Sequence, residues 1–196
     1  ADCHVMCDVC KEVLQDGSYH SFTDKVAVEP SCTIPGKREY TCSCGYMYAY
    51  EITELGHDYV DAKDEPTDTQ NGRIYEKCSK CGEEINEELI VALNTVNFPD
   101  ANILALMEPY NTDGEAGLSV DEIAAITILQ TEEDVVITSV KGIEYLTALE
   151  QVMIMNASSL NKIDVTNNTA LNTIALPGAA ITDIDVSNCP NLQMLM

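Results

Sequence analysis

The chain has 196 residues, room for one large domain or for two to three small ones. Its 33 acidic and 10 basic residues leave a formal net charge of −23, which repels nucleic acid and anionic membrane surfaces and excludes both as partners. No apolar run approaches the roughly 18 residues of a membrane span, so no membrane insertion is expected.

Eight of the nine cysteines fall in the first 81 residues, and all of these but Cys32 lie in three knuckles. These are Cys3-His-Val-Met-Cys7-Asp-Val-Cys10, Cys42-Ser-Cys44-Gly45 and Cys78-Ser-Lys-Cys81-Gly82. Thiolates two or three residues apart, closed by glycine, form the tight turn that points two sulfurs at one metal ion. The surrounding sequence is polar and acidic and has almost no apolar run long enough for a core, so metal or disulfides must hold it. The region also repeats. Pro30-Ser-Cys32, Gly36, Cys42 and Gly45 stand in register with Pro66-Thr-Asp68, Gly72, Cys78 and Gly82, and His20-Ser-Phe22 with His57-Asp-Tyr59. Alternation in Lys37–Thr41 and Tyr46–Ile52 predicts short paired strands, with Tyr46, Tyr48 and Tyr50 on one strand face.

The middle of the chain predicts a helix-loop-helix. Asn97-Phe-Pro99-Asp100 opens the first helix, and Ile103, Leu104 and Met107 give its apolar face. Ser119 and Glu122 form a capping box for the second. Between them, Asn111, Asp113, Glu115, Ser119 and Glu122 stand at positions 1, 3, 5, 9 and 12 of a twelve-residue EF-hand spacing. Calcium is therefore a candidate ion, weakly held, because Ala116 takes the place of the usual turn glycine.

The last third repeats every 21–22 residues. Leu149, Val152 and Ile154 match Leu171, Ile174 and Leu176, and Leu192 and Leu195 begin a further copy. Leu-x-x-Leu-x-Leu followed by a second apolar set, such as Ile163 and Val165, is the leucine-rich repeat pattern. Each coil covers its apolar residues only with the next coil. Leu192 and Leu195 are accordingly expected to form a sticky interface edge. Cys189 reads as a buried small residue, and Asp164 and Asp185 as coil-edge residues.

Sulfur and imidazole donors favour zinc over hard cations. One partition groups Cys3, Cys7, Cys10 and His20, then Cys32, Cys42, Cys44 and His57, and leaves Asp68, Cys78 and Cys81 as a degenerate third set. The other moves each histidine to the following unit: His20 with Cys32, Cys42 and Cys44, and His57 with Asp68, Cys78 and Cys81. Disulfides compete with metal in an exported protein, although knuckle spacing suits an ion better. A complete set of four protein ligands means structural zinc, since hydrolysis needs an open position for water.

The wording and order of Asn97-Phe-Pro-Asp100, Asn111-Thr-Asp-Gly114, Leu118-Ser-Val-Asp-Glu-Ile123, Lys141-Gly-Ile-Glu-Tyr-Leu146 and Ile163-Asp-Val-Thr-Asn-Asn168 resemble the leucine-rich-repeat surface proteins of gut-type anaerobic bacteria. In these an EF-hand-like helical cap precedes the solenoid. The cysteine repeats resemble units found beside such modules in large exported bacterial proteins. The resemblance departs at Ala157 and Ala179, where the family has asparagine or cysteine after the solenoid strand.

The expected fold is α+β and multi-part. Residues 1–92 form small metal-stapled β-hairpin repeats, 93–134 an EF-hand-like helical cap and 135–196 a short leucine-rich-repeat solenoid. The resemblance implies no catalytic residues and a location that is extracellular, secreted or cell-wall associated. The expected function is binding or adhesion toward a protein or glycan ligand at the cell surface. The alternative is a protomer of a self-assembling filament or lattice, whose partners are copies of itself.

Overall fold

The structure is a computed structural model and describes residues 21–43 and 45–196. Strand-forming alternation produces three antiparallel strands, Phe22–Val28 (β1), Gly36–Cys42 (β2) and Met47–Ile52 (β3), in the order β1-β2-β3. Tyr40 lies opposite Tyr48 and Arg38 opposite Tyr50, so one face gathers the rings. Tyr40 stacks on Tyr48 with centroids 4.8 Å apart, and Phe22 meets Tyr48 edge-on at 4.9 Å. A second sheet takes Tyr59–Asp64 (β4), Gly72–Cys78 (β5), Glu84–Ala92 (β6) and Gly117–Leu118 (β7) in the order β4-β5-β6-β7.

The internal repeat is visible in the backbone. Ser31 Oγ accepts from the N–H groups of Thr33 and Ile34 at 3.4 and 3.0 Å, and Thr67 Oγ1 accepts from Thr69 and Gln70 at the same two distances. A Cβ on Gly36 would fall within 2.7 Å of the Val28 carbonyl oxygen and the Pro30 nitrogen, and one on Gly72 would collide with the equivalent Asp64 and Pro66 atoms. Only glycine allows the chain to pass so close.

The chain divides into two compact units: residues 1–60 with 77–84, and residues 61–76 with 85–196. The second cysteine repeat is therefore divided. Its knuckle belongs to the first unit. Its turn belongs to the second, where Asn71 Oδ1 accepts from the Ala92 N–H at 3.0 Å and from Asn97 Nδ2 at 2.6 Å, and Val91 pairs with Leu118.

The first unit has almost no apolar core. Among its described residues the buried positions are Cys32, Gly36, Cys42 and Cys78, so every buried side chain is a cysteine. The second unit buries a continuous aliphatic core that runs from Val91 and Phe98 through Leu129, Leu149 and Val152 to Leu171 and Ile174. Helices Ala101–Met107 (α1) and Val120–Ala124 (α2) are short and firmly capped. Asp100 Oδ1 accepts from Asn102 and Ile103 at the start of α1, while its Oδ2 accepts from Thr138 N and Oγ1 at 2.7 and 2.9 Å. The capping box on Ser119 and Glu122 is formed.

Strands Ile128–Thr131 (β8), Gln151–Ile154 (β9), Thr173–Ala175 (β10) and Met194–Leu195 (β11) make a parallel sheet in sequential order, one strand per coil. Leu149, Val152 and Ile154, and Leu171, Ile174 and Leu176, all point inward as their repeat positions require. A polar ladder also links the coils. Asn168 Nδ2 donates to Ile143 O and Leu146 O at 2.7 and 2.8 Å, and one coil later Cys189 Sγ faces Val165 O and Asn168 O at 3.8 and 3.7 Å. Ala157 and Ala179 do not carry this ladder. It sits at Asn168 and Cys189, after the second apolar set of each coil, where it adds a side-chain partner to carbonyls that already accept a backbone N–H.

Candidate metal centre

Four side chains converge in the first unit: Cys32, His57, Cys78 and Cys81, with one ligand atom from each lying within 4.8 Å of the others. Cys32 sits in the turn that Ser31 closes. Cys78 ends β5, and its knuckle is set by Gly82, whose φ of 77° lets its N–H reach Cys78 O at 2.8 Å. The Cys78 N–H in turn donates to Glu83 O at 2.7 Å. The turn after Cys42 repeats this pattern one residue shorter: Gly45, at φ 90°, donates to Cys42 O at 2.9 Å, and Cys42 N–H to Tyr46 O at 2.9 Å. His57 is positioned by stacking on Tyr59, with centroids 5.2 Å apart and the planes 10° from parallel.

The spacings fit zinc. Tetrahedral zinc with Zn–S of 2.3 Å and Zn–N near 2.0–2.1 Å places two sulfurs about 3.8 Å apart and a sulfur and a nitrogen about 3.5 Å apart. Cys32 Sγ and Cys78 Sγ are 3.8 Å apart, and Cys81 Sγ and His57 Nδ1 are 3.5 Å apart. The thiols are electrostatically unequal. Desolvation, reinforced by the neighbouring thiols, raises Cys32 to about 11. Desolvation also works against the Cys78 thiolate, yet the N–H groups of Asp58, Cys81 and Lys80 outweigh it and hold Cys78 down at about 5. The Asp58 N–H is 3.5 Å from that sulfur. Cys78 is thus ready as a thiolate, the form that binds metal.

Glu83 is a neighbour the motif spacing did not single out. Its Oε2 stands 2.9 Å from His57 Nδ1 and accepts from Tyr59 OH at 3.1 Å. Its place directly after the knuckle glycine is the one sequence signal for it.

The second partition's grouping of His57 with Cys78 and Cys81 is present, with Cys32 in the place it gave to Asp68; the first partition's pairing of Cys32 with His57 is present without its Cys42. Cys32 and His57 join the Cys78–Cys81 knuckle. Cys42 is buried elsewhere in the unit, and Asp68 is exposed in the turn at Thr67. Cys3, Cys7, Cys10, His20 and Cys44 lie outside the described residues. In the EF-hand-spaced loop, protein donors occupy the oxygens. Glu122 Oε1 accepts from Thr112 N and Oγ1 at 2.5 and 3.0 Å and from Asp113 N at 3.3 Å, and its Oε2 from Ser119 N at 3.0 Å. Asn111 Oδ1 accepts from Gly114 N, Asp113 Oδ1 accepts from Glu115 N, and the Glu115 carboxylate pairs with Lys63 at 2.6 Å. Leu192 is half-buried and Leu195 exposed.

Among the described residues, no helix is long and apolar enough to cross a membrane. No family model matches the chain. No curated protein matches it either. Solved structures that resemble it include two from Listeria monocytogenes. The functional domain of InlJ, which includes a cysteine ladder, aligns at 24% identity and a TM-score of 0.40 over 54% of this chain and 23% of its own. The internalin InlF aligns at 27% identity and a TM-score of 0.42, over 54% of this chain and 31% of its own.

Proposed function

We propose that this chain is a non-enzymatic binding module that acts outside the cell, secreted or wall-attached. In this reading structural zinc holds the cysteine repeats, and a short leucine-rich solenoid, capped by the helical segment 93–134, presents the contact face. The observation that carries the reading is the outward face of the parallel sheet. Its rows are Ile128, Gln151, Thr173 and Met194, and beside them Gln130 and Met153. None is charged, in a chain of net charge −23. An uncharged, partly apolar strip on a strongly acidic molecule is suited to contact with a protein or glycan surface. The metal cluster supports a structural role, because four protein donors leave no coordination position for a reacting water. Calcium at residues 111–122 adds little in this account, since Glu122 already closes the loop.

The test is capture of immobilised matrix glycoproteins and cell-wall glycans by the full chain, compared with Gln151→Glu and Met153→Lys. Saturable capture that both variants weaken at least tenfold supports the reading. Capture that neither variant changes contradicts it. Particle mass that grows with concentration would favour the filament alternative instead.

A further inference from the structure

The metal cluster draws its ligands unequally from two successive repeats. Ser31 and Thr67 close equivalent turns, Gly36 and Gly72 make equivalent close approaches, and Cys42 and Cys78 head equivalent knuckles. In that register Cys32 belongs to one repeat, and His57, Cys78 and Cys81 belong to the next. We infer that the ion is a clamp between consecutive cysteine repeats, closed by Cys32 alone from the earlier one, and that Asp68 terminates the series rather than ligating. This rests on the zinc reading above.

Three further observations carry it. First, the hydrogen bonds around the cluster follow the same path between repeats. Gly56 N–H donates to Cys32 O at 3.1 Å, Lys80 Nζ donates to Leu55 O and Gly56 O at 3.0 and 3.3 Å, and Ser79 N–H donates to Asp58 O at 2.8 Å. The Cys32 turn, the linker between the repeats and the later knuckle are thus one connected strap. Second, no aliphatic core is available for the task, because the buried side chains among the described residues of this unit are all cysteines. Third, Asp68 holds the register position of Cys32 one repeat on, yet it is exposed and outside the cluster. A ligand at that position needs a following histidine and knuckle. After residue 92 the chain instead enters α1, with its N-cap at Asp100, so no later knuckle comes to meet Asp68.

The later repeat alone offers three donors, His57, Cys78 and Cys81. Without Cys32 the site keeps an ion but opens one position to water. The experiment is cobalt(II) and zinc titration of the full reduced chain, with Cys32→Ser and Asp68→Ala. Cys32→Ser is expected to lose one thiolate's share of the cobalt charge-transfer band, while residual binding keeps the other two. Its zinc affinity should fall by more than roughly 100-fold, since loss of a partner outside the ligand set already costs 10–100-fold. Amide protection in β1–β3 should fall with it. Asp68→Ala should leave spectrum, affinity and stoichiometry unchanged. If the parent chain takes up no metal, the zinc reading itself fails. If the parent binds and Cys32→Ser matches it in spectrum and affinity, or Asp68→Ala loses metal, the clamp assignment is overturned while zinc stands. If Cys32→Ser binds no cobalt yet Cys81→Ser retains a two-thiolate spectrum, Cys32 is not the closing ligand and the assignment is likewise overturned.

Discussion

The two compact units reach order by opposite means. In the first, three-stranded sheet and knuckle surround buried cysteines, and Tyr46 and Tyr50 stay exposed on the sheet face. In the second, leucine, isoleucine and valine from every coil merge into one core. A small polar segment cannot bury enough apolar surface to offset the conformational entropy of ordering it, and in the function proposed above a few strong bonds to one ion substitute. A solenoid gains its stability coil by coil, through many weak contacts with neighbours. The first unit should thus be fragile to one atom's removal, and the second tolerant of all but core changes.

The largest break of this contrast is Cys78→Ser. It removes the thiolate that three backbone N–H groups hold ready. Metal content should drop by about one equivalent per chain by elemental analysis, as expected for one four-ligand site, with unfolding of the first unit and an unaltered second. Next, Leu149→Ala, at a fully buried coil position, should destabilise the second unit by about 2–5 kcal/mol in denaturant titration, without changing metal uptake. Asn168→Ala removes the side-chain donor from Ile143 O and Leu146 O, which keep only the backbone N–H groups of Leu146 and Leu149; it should cost about 1–2 kcal/mol, and Asn168→Cys less, because Cys189 faces the equivalent carbonyls one coil on.

Acid should act on the second unit through Glu122 and Asp100. For both carboxylates desolvation opposes ionisation, but hydrogen bonds from Ser119 and Thr112, and from Thr138, Asn102 and Ile103, hold their titration below the ordinary 4.5 and 3.8. A folded-state value below the unfolded one gives stability that is present above the unfolded value and disappears as pH falls through the folded one. Circular dichroism should therefore show full stability above pH 4.5 and progressive loss below it, and Glu122→Gln should remove part of that dependence. The smallest effect belongs to Asp24→Asn at the exposed Arg38–Asp24 pair, 3.1 Å apart, where a change below about 1 kcal/mol is expected.

Much of this was legible in the sequence because it depends on neighbours. The Ser119–Glu122 capping box, the inward positions Val152 and Ile174 and the knuckle glycine Gly82 all follow from spacing within one turn or coil. What spacing did not reveal depends on how distant segments meet. One partition did place His57 with Cys78 and Cys81, but the entry of Cys32 in place of Asp68 joins residues 46 apart, and a register of repeats does not say which neighbour a ligand will serve. The division of the second repeat between the units follows from Asn71 reaching Ala92 and Asn97, which no local pattern encodes. The ladder at Asn168 and Cys189 lies one half-coil from where the family pattern led, because the carbonyls it satisfies belong to the preceding coil.

Hydrogen exchange of the zinc-loaded chain before and after chelation, followed amide by amide under reducing conditions, tests the central contrast most directly. Amides of β1, β2 and β3 are expected to lose protection together when the ion leaves. Those of β9 and β10, beneath Val152 and Ile174, should keep theirs. Protection in β1–β3 that survives chelation would contradict it, as would a loss that spreads equally through both units.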